Sequence, residues 1–253
     1  QVTELYNEKP ETDTSNFKTV LYEGNGGTQY ISNVGFDLDV DNGGDGGLVW
    51  IKNRDFSVNH YLYDSIRGTG AAKALHSNTT DSETSASTYS VNGGVESFDA
   101  NGFFAFKGSD GTYQGTNKSG QNYVAWVFKG SGEAVQNTQG SITSDVSANT
   151  EAGFSIVTWT GDGNDSTVGH GLSQQPELVI TKGRANLATY NNWTTYHKDL
   201  STNHHLYLNT TDAEQNGAGD YFRDAAFSST VIGLGNDIYG PNVNGTTMVA
   251  YCF

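Results

Sequence analysis

The sequence predicts an all-β protein built from two tandem, homologous antiparallel β-sandwich units with a jelly-roll-like layout. Three observations lead there. The 253 residues include 32 Gly and only 3 Pro, with 14 Tyr, 12 Phe and 4 Trp, the make-up of a turn-dense chain that packs flat, bulky side chains on sheets. Short apolar runs are bounded by Gly, Asn or Asp, as strands are. The third observation is that the chain repeats itself in order. Val20-Leu21-Tyr22-Glu23-Gly24 returns at Val157, Leu48-Val49-Trp50-Ile51-Lys52 at Leu178, Asn78-Thr79-Thr80-Asp81 at Asn209, and Tyr123-Val124-Ala125-Trp126 at Met248, with spacings of 137, 130, 131 and 125 residues. A repeat of that length is about one ordinary domain.

Taken in order, residues 1–16 read as an N-terminal arm, 17–129 as the first sandwich, 130–152 as a linker and 153–253 as the second sandwich. The arm and the linker share a polar, acidic character, so the chain reads as a stretch of a longer array. Strands are expected at 18–23, 47–52, 60–64, 102–107 and 122–129, and again at 153–160, 177–182, 193–197, 205–209, 230–235 and 246–253. Along 123–128 both alternating faces are apolar, which marks a central strand. Residues 65–75 carry Gly68 and Gly70 and no 3.6-residue stripe, so no helix is expected there.

Charge narrows the range of partners. The formal net charge is −15, spread as −3, −4, −3 and −5 over the four segments. An evenly acidic surface repels phosphate backbones and argues against nucleic acid. No run reaches the roughly 18 apolar residues of a membrane helix, so no membrane insertion is expected. Cys252 is the lone cysteine; it sits in an alternating apolar strand where Val127 stands in the first unit, which marks a core thiol rather than a nucleophile.

Two places suggest binding chemistry. Asp37, Asp39, Asp41 and Asp45, interleaved with Gly43 and Gly44, offer alternating carboxylates that could wrap a calcium ion, the single cofactor the sequence suggests. The twelfth position of that run is Leu48, not the Glu an EF-hand requires, and the second unit has the shorter Leu172–Glu177 stretch instead. The bland reading, a solvated acidic loop, is the stronger of the two. Tyr190, Asn191, Asn192 and Trp193 combine stacking faces with planar amides, the mix that sugar rings favour, and form the candidate contact for a host surface glycan. Trp193 also matches His60 at the start of a strand, where packing is its bland reading. Other tyrosines in polar segments are Tyr30, Tyr89, Tyr113 and Tyr239. The six histidines show no metal-ligand spacing; His204 and His205 should point to opposite faces of a strand, one packed and one exposed. Asn-Thr-Thr-Asp, present in both units, reads as an Asx or Ser/Thr turn. No nucleophile elbow, phosphate loop or paired Cys motif occurs, and the E-x-D-x-E strand of sandwich glycosidases is absent.

The composite of Tyr-x-Gly-Asn-Gly-Gly at 22–27, Leu-Val-Trp-Ile-Lys-Asn-Arg-Asp at 48–55, Tyr-Asp-Ser-Ile-Arg-Gly at 63–68, Lys-Ala-Leu-x-Ser-Asn-Thr-Thr at 73–80 and Tyr-Val-Ala-Trp at 123–126 resembles a repeat of tailed-bacteriophage virion proteins. In the second unit Gly-Phe-Ser-Ile-Val at 153–157, Val-Gly-His-Gly-Leu at 168–172 and Val-Ala-Tyr-Cys-Phe at 249–253 resemble it too. The resemblance implies a non-enzymatic β-sandwich component of the particle surface, in a tail fibre or receptor-facing appendage. It would form a homo-oligomer and contact other virion proteins. Alternatives are a capsid-decorating or head-fibre protein of the same fold and a tailspike-like polysaccharide hydrolase. The family's short Gly-Phe-x-Pro connection is followed more closely by Gln175-Pro176 than by the acidic loop of the first unit.

Overall fold

A computed structural model describes residues 16–110, 115–185, 191–218, 221–236 and 238–253. Antiparallel strands dominate. The first half runs β1 (Phe17–Glu23), β2 (Thr28–Ser32), β3 (Gly47–Asn53), β4 (Tyr61–Asp64), β5 (Leu75–His76), α1 (Ala86–Asn92), β6 (Gly94–Asp99), β7 (Gly102–Phe106) and β8 (Asn122–Lys129). It forms a five-stranded sheet in the order β1-β8-β3-β4-β5 and a three-stranded sheet β2-β7-β6. The second half runs β9 (Val135–Asn137), β10 (Ser144–Asn149), β11 (Phe154–Thr160), β12 (Ser166–Gly169), β13 (Leu178–Gly183), β14 (Thr194–His197), β15 (His204–Tyr207), β16 (Gln215–Asn216), β17 (Val231–Leu234) and β18 (Thr247–Cys252). Here the large sheet is eight-stranded, β16-β15-β14-β13-β18-β11-β10-β9, with β12-β17 as a small second sheet.

The orders β1-β8-β3-β4-β5 and β11-β18-β13-β14-β15 are the same path through the chain. What the second half adds lies at its edges: β16 beyond β15, and β10 and β9 beyond β11. Residues 130–152, expected as a linker, therefore supply two strands to that sheet. Val146 shows why: it is 2 % exposed and belongs to the second core, so the stretch carries apolar surface that must be covered.

Burial organises four layers. Val20, Val49, Ile51, Tyr123, Ala125 and Val127 of the large first sheet pack on Ile31, Val95, Phe103 and Ala105 of the small one. In the second half Val157, Val179, Met248, Ala250 and Cys252 pack on Val168, Ile232 and Leu234. A third core lies between the halves, where Leu48, Leu62 and Leu75 meet Phe154, Ile156, Ile180, Trp193, Val249 and Tyr251. Phe128 packs at its rim against Phe154, tilted, and Phe253, edge to face, with ring centroids 5.3 Å from each. The apolar character of both faces of 123–128 thus has two origins: one face covers its own small sheet, and the other turns toward the facing half.

Both halves end their first long strand in the same way. Gly24 presses so closely on the backbone that a Cβ there would lie 2.3 Å from the carbonyl oxygen of Lys118, and at Gly161 it would lie 2.3 Å from that of Val243. The turn that follows is held by a buried amide. Asn117 accepts from the backbone N–H of Asn25 (3.1 Å) and donates to the carbonyl of Gly27 (2.9 Å). Asn242 accepts from the N–H of Asp162 (3.1 Å) and donates to the carbonyl of Asn164 (2.7 Å). Buried groups of this kind are costly to orphan. Asn117→Ala is expected to lower stability by roughly 2–4 kcal/mol, read as a lower urea midpoint at unchanged slope. Asn242→Ala should act alike, and an unchanged midpoint in either variant would show that amide to be idle.

Candidate functional site

The acidic loop is built from short-range hydrogen bonds. Asp37 Oδ1 accepts from the N–H of Asp39 (2.9 Å), Asp39 Oδ2 accepts from the side-chain amide of Asn42 (2.6 Å), and Asp45 pairs with Lys129 at 3.3 Å. Asp41 is exposed. Among the described residues no three His, Cys, Asp or Glu side chains are grouped as metal ligands would be. Local turns engage one oxygen each of Asp37 and Asp39, and Lys129 one of Asp45.

The proposed sugar contact also comes apart. Tyr190 lies outside the described residues. Trp193 is fully buried: its indole N–H donates to the carbonyl of His76 (2.8 Å), and its ring lies 5.8 Å from Lys182 Nζ and stacks on Tyr251 at 6.4 Å. That corrects its expected role, since a ring enclosed between two sheets has no face to offer a sugar. Asn191 is buried, donating to the carbonyl of Gly183 (2.9 Å), and Asn192 accepts from the side-chain amide of Asn209 (2.8 Å). The match of Trp193 with His60 holds in hydrogen bonds as well: the N–H of Trp193 donates to Asn209 (2.8 Å) and that of His60 to Asn78 (2.9 Å). Both Asn-Thr-Thr-Asp motifs close as Ser/Thr turns, with Asp81 N–H on Thr79 Oγ1 and Asp212 N–H on Thr210 Oγ1, each at 3.3 Å. Of the paired histidines, His205 is buried and His204 half-buried. Tyr113 lies outside the described residues, while Tyr30 and Tyr89 rest on Phe104 and Phe106 at 5.0 and 5.7 Å.

What the structure does assemble is a polar clamp across the two halves. Arg67 is buried and bonds Asp64 through Nε (2.5 Å), Glu83 through Nη1 (3.1 Å), and the hydroxyl of Tyr251 through Nη2 (3.2 Å). Tyr251 donates to Asp64 (2.8 Å), and Arg184 reaches Glu83 at 2.9 Å. Burial works against the guanidinium charge, but Asp64, Tyr251 and Glu83 outweigh it and hold its pKa above the ordinary value. Beside it Lys182 is fully buried, donating to the carbonyl of Asn191. Burial lowers its pKa from 10.5 to about 7, with the charge of Asp81 pulling the other way. Cys252 is enclosed, and burial pushes its thiol up to about 12, against a hydrogen bond with Ser155. Arg67, Lys182 and Cys252 all face protein.

The surface differs in kind. Leu21 is 62 % and Phe17 42 % exposed on β1, one of the two outer strands of the five-stranded sheet. They continue an apolar face through Val124, Trp126 and Phe128 of β8, their register partners being Val124 and Phe128. Phe56 is 56 % exposed, with Lys118 Nζ 5.4 Å from its ring. On the second half a cleft of about 520 Å³ is lined by Asp145, Thr158, Thr160, Arg184 and Thr247 among others, polar and open. The sequence reading overlooked β1 as a surface, although the Leu21-to-Thr158 exchange in the echoed strand was visible.

The fold and these surfaces define an all-β protein of four stacked sheets with a buried ionic junction. The family model described as a domain of unknown function, DUF7483, matches residues 12–253, and the chain belongs to that family. No curated protein and no solved structure matches it.

The depressed pKa of Lys182 sets a pH dependence. The unfolded lysine holds its proton up to about 10.5 and the folded one only to about 7, so between those values unfolding takes up a proton and stability rises with pH. Lys182→Met is expected to flatten that rise, measured as urea midpoints across the window. An unaltered slope would assign it to other groups.

Proposed function

We propose that this chain is a non-enzymatic structural component of a tailed-bacteriophage particle. It serves as a repeat-built module of a tail fibre or receptor-facing appendage, displayed on the virion surface and assembled with copies of itself and other virion proteins. The observation that carries the reading is the matched frame of the two halves. The sequence echoes fall on the same strand order, the same glycine contact at Gly24 and Gly161, and the same amide anchors at Asn117 and Asn242. A duplicated frame with divergent loops suits a stackable surface module better than a single asymmetric active centre. The ionisable groups at the junction are engaged with one another inside the protein, which also favours a scaffold. The virion setting rests on the sequence resemblance alone. Glycan recognition, if part of the role, belongs to a surface other than Trp193.

Gold-labelled antibody against the chain, imaged on purified particles, is expected to mark the tail appendages. Label on the head would move the protein to capsid decoration, and absence of label would retire the virion reading. Release of reducing sugar from host envelope glycan by the purified chain would replace it with a hydrolase.

A further inference from the structure

The two halves treat one equivalent edge differently. Hydrogen bonds from Lys129 N–H to Asn16 O (2.9 Å) and from Gly24 N–H to Gln121 O (2.8 Å) fix the phase of the β1–β8 ladder. With that phase the backbone N–H and C=O groups of Phe17, Thr19, Leu21 and Glu23 point off the sheet, away from β8. In the second half the bond from Gly161 N–H to Thr246 O (2.9 Å) sets the same phase. The corresponding residues Phe154, Ile156 and Thr158 face β10, opposite Asn149, Ser147 and Asp145. One half therefore covers this edge with a strand, and in the other nothing among the described residues pairs with it.

The open edge is also the longest. β1 has seven residues, whereas the outer strands β5, β16 and β9 have two, two and three, and β6 carries a bulge between Val95 and Ser97. Short or bulged edges resist pairing with other chains, and long regular ones invite it. The exposure agrees: Thr158 is 6 % exposed behind β10, but Leu21, at the same place in β1, is 62 % exposed.

The edge is complementary to itself. We propose, building on the oligomeric surface module above, that β1 pairs antiparallel with β1 of a second copy across a two-fold axis, joining two five-stranded sheets into one of ten. With Thr19 opposite Thr19 of the partner subunit, Phe17 stands opposite Leu21 of the partner subunit and Leu21 opposite its Phe17. These apolar cross-strand pairs cover the exposed side chains on the face that also carries Val124, Trp126 and Phe128. Each copy carries −15, so the pairing opposes charge repulsion and strengthens as salt screens it.

Sedimentation velocity of the full chain over a wide concentration range tests this. The expected result is a monomer–dimer equilibrium that shifts toward dimer with added salt. Leu21→Lys, at an exposed position, and Thr19→Pro, which removes only an N–H pointing off the sheet, should each weaken it by about tenfold or more. Thr19→Cys should give a disulfide-linked dimer on mild oxidation, since the native Cys252 is buried. Should Thr19→Pro misfold, Leu21→Lys and the cross-link decide. A chain that stays monomeric throughout, or a dimer indifferent to Leu21→Lys and uncrosslinked at residue 19, overturns the proposal. A β1 dimer missing from the particle would instead overturn the virion reading and leave this pairing intact.

Discussion

The contact on which the structure turns is the face-to-face packing of the two large sheets. Each large sheet already covers a smaller one, so its second face would be a broad apolar surface if the halves were apart. Leu48, Leu62 and Leu75 on one side and Phe154, Ile156, Ile180, Trp193, Val249 and Tyr251 on the other close that surface. Apolar burial supplies the drive but no direction. Direction comes from the polar groups embedded in it. Arg67, Asp64 and Glu83 all belong to the first half, and Tyr251 reaches Arg67 and Asp64, and Arg184 reaches Glu83, only when the sheets sit in one relative placement. A buried polar group adds little when paired, yet leaving it without its partner is costly. The clamp therefore penalises wrong dockings of the halves more than it rewards the right one.

The halves keep a common frame and differ where the chain reverses. The shared features are those with no latitude: a glycine pressed against a carbonyl at positions 24 and 161, and amides Asn117 and Asn242 tying the first turn to the segment before the last strand. Asn78 and Asn209 likewise receive the first N–H of the segments they anchor. The acidic loop after β2 and the short Leu172–Glu177 connection differ in length and charge, and share only a core leucine, Leu38 in the first half and Leu172 in the second. Asp37 and Asp39 bond within their own loop, and Asp45 reaches Lys129 at its rim.

Much of the frame was legible in the sequence, for a physical reason. Long strands buried on both faces, such as 122–129, leave dense apolar runs between glycines, and the echoes located their counterparts. Strands with one open face were missed. β2 alternates exposed and half-buried residues around Ile31, and β10 holds its place through Val146 amid Ser, Asp and Asn, so neither has a run to read. The helix at Ala86–Asn92 is Ser- and Thr-rich with no apolar stripe, and begins on the side-chain oxygen of Ser85 accepting from the Thr88 N–H. The sugar contact expected at Tyr-Asn-Asn-Trp is a different case, since residue type alone does not distinguish an exposed indole from one closing a junction. The signal that placed Trp193 correctly was positional, its match with His60 ahead of a strand.

The same positional comparison singles out the edge at β1. A sheet edge is the one part of a β-structure whose backbone valences are unsatisfied by construction, so each edge must be shortened, distorted, covered or used. The second half covers its edge with the residues of 135–149, and most other outer strands are short. β1 is neither short nor bulged, and it sets Phe17 and Leu21 beside backbone groups that nothing among the described residues pairs with. Such an edge would be a liability in a chain that works alone among other proteins at high concentration. In a chain that assembles, it is the natural place for the next strand.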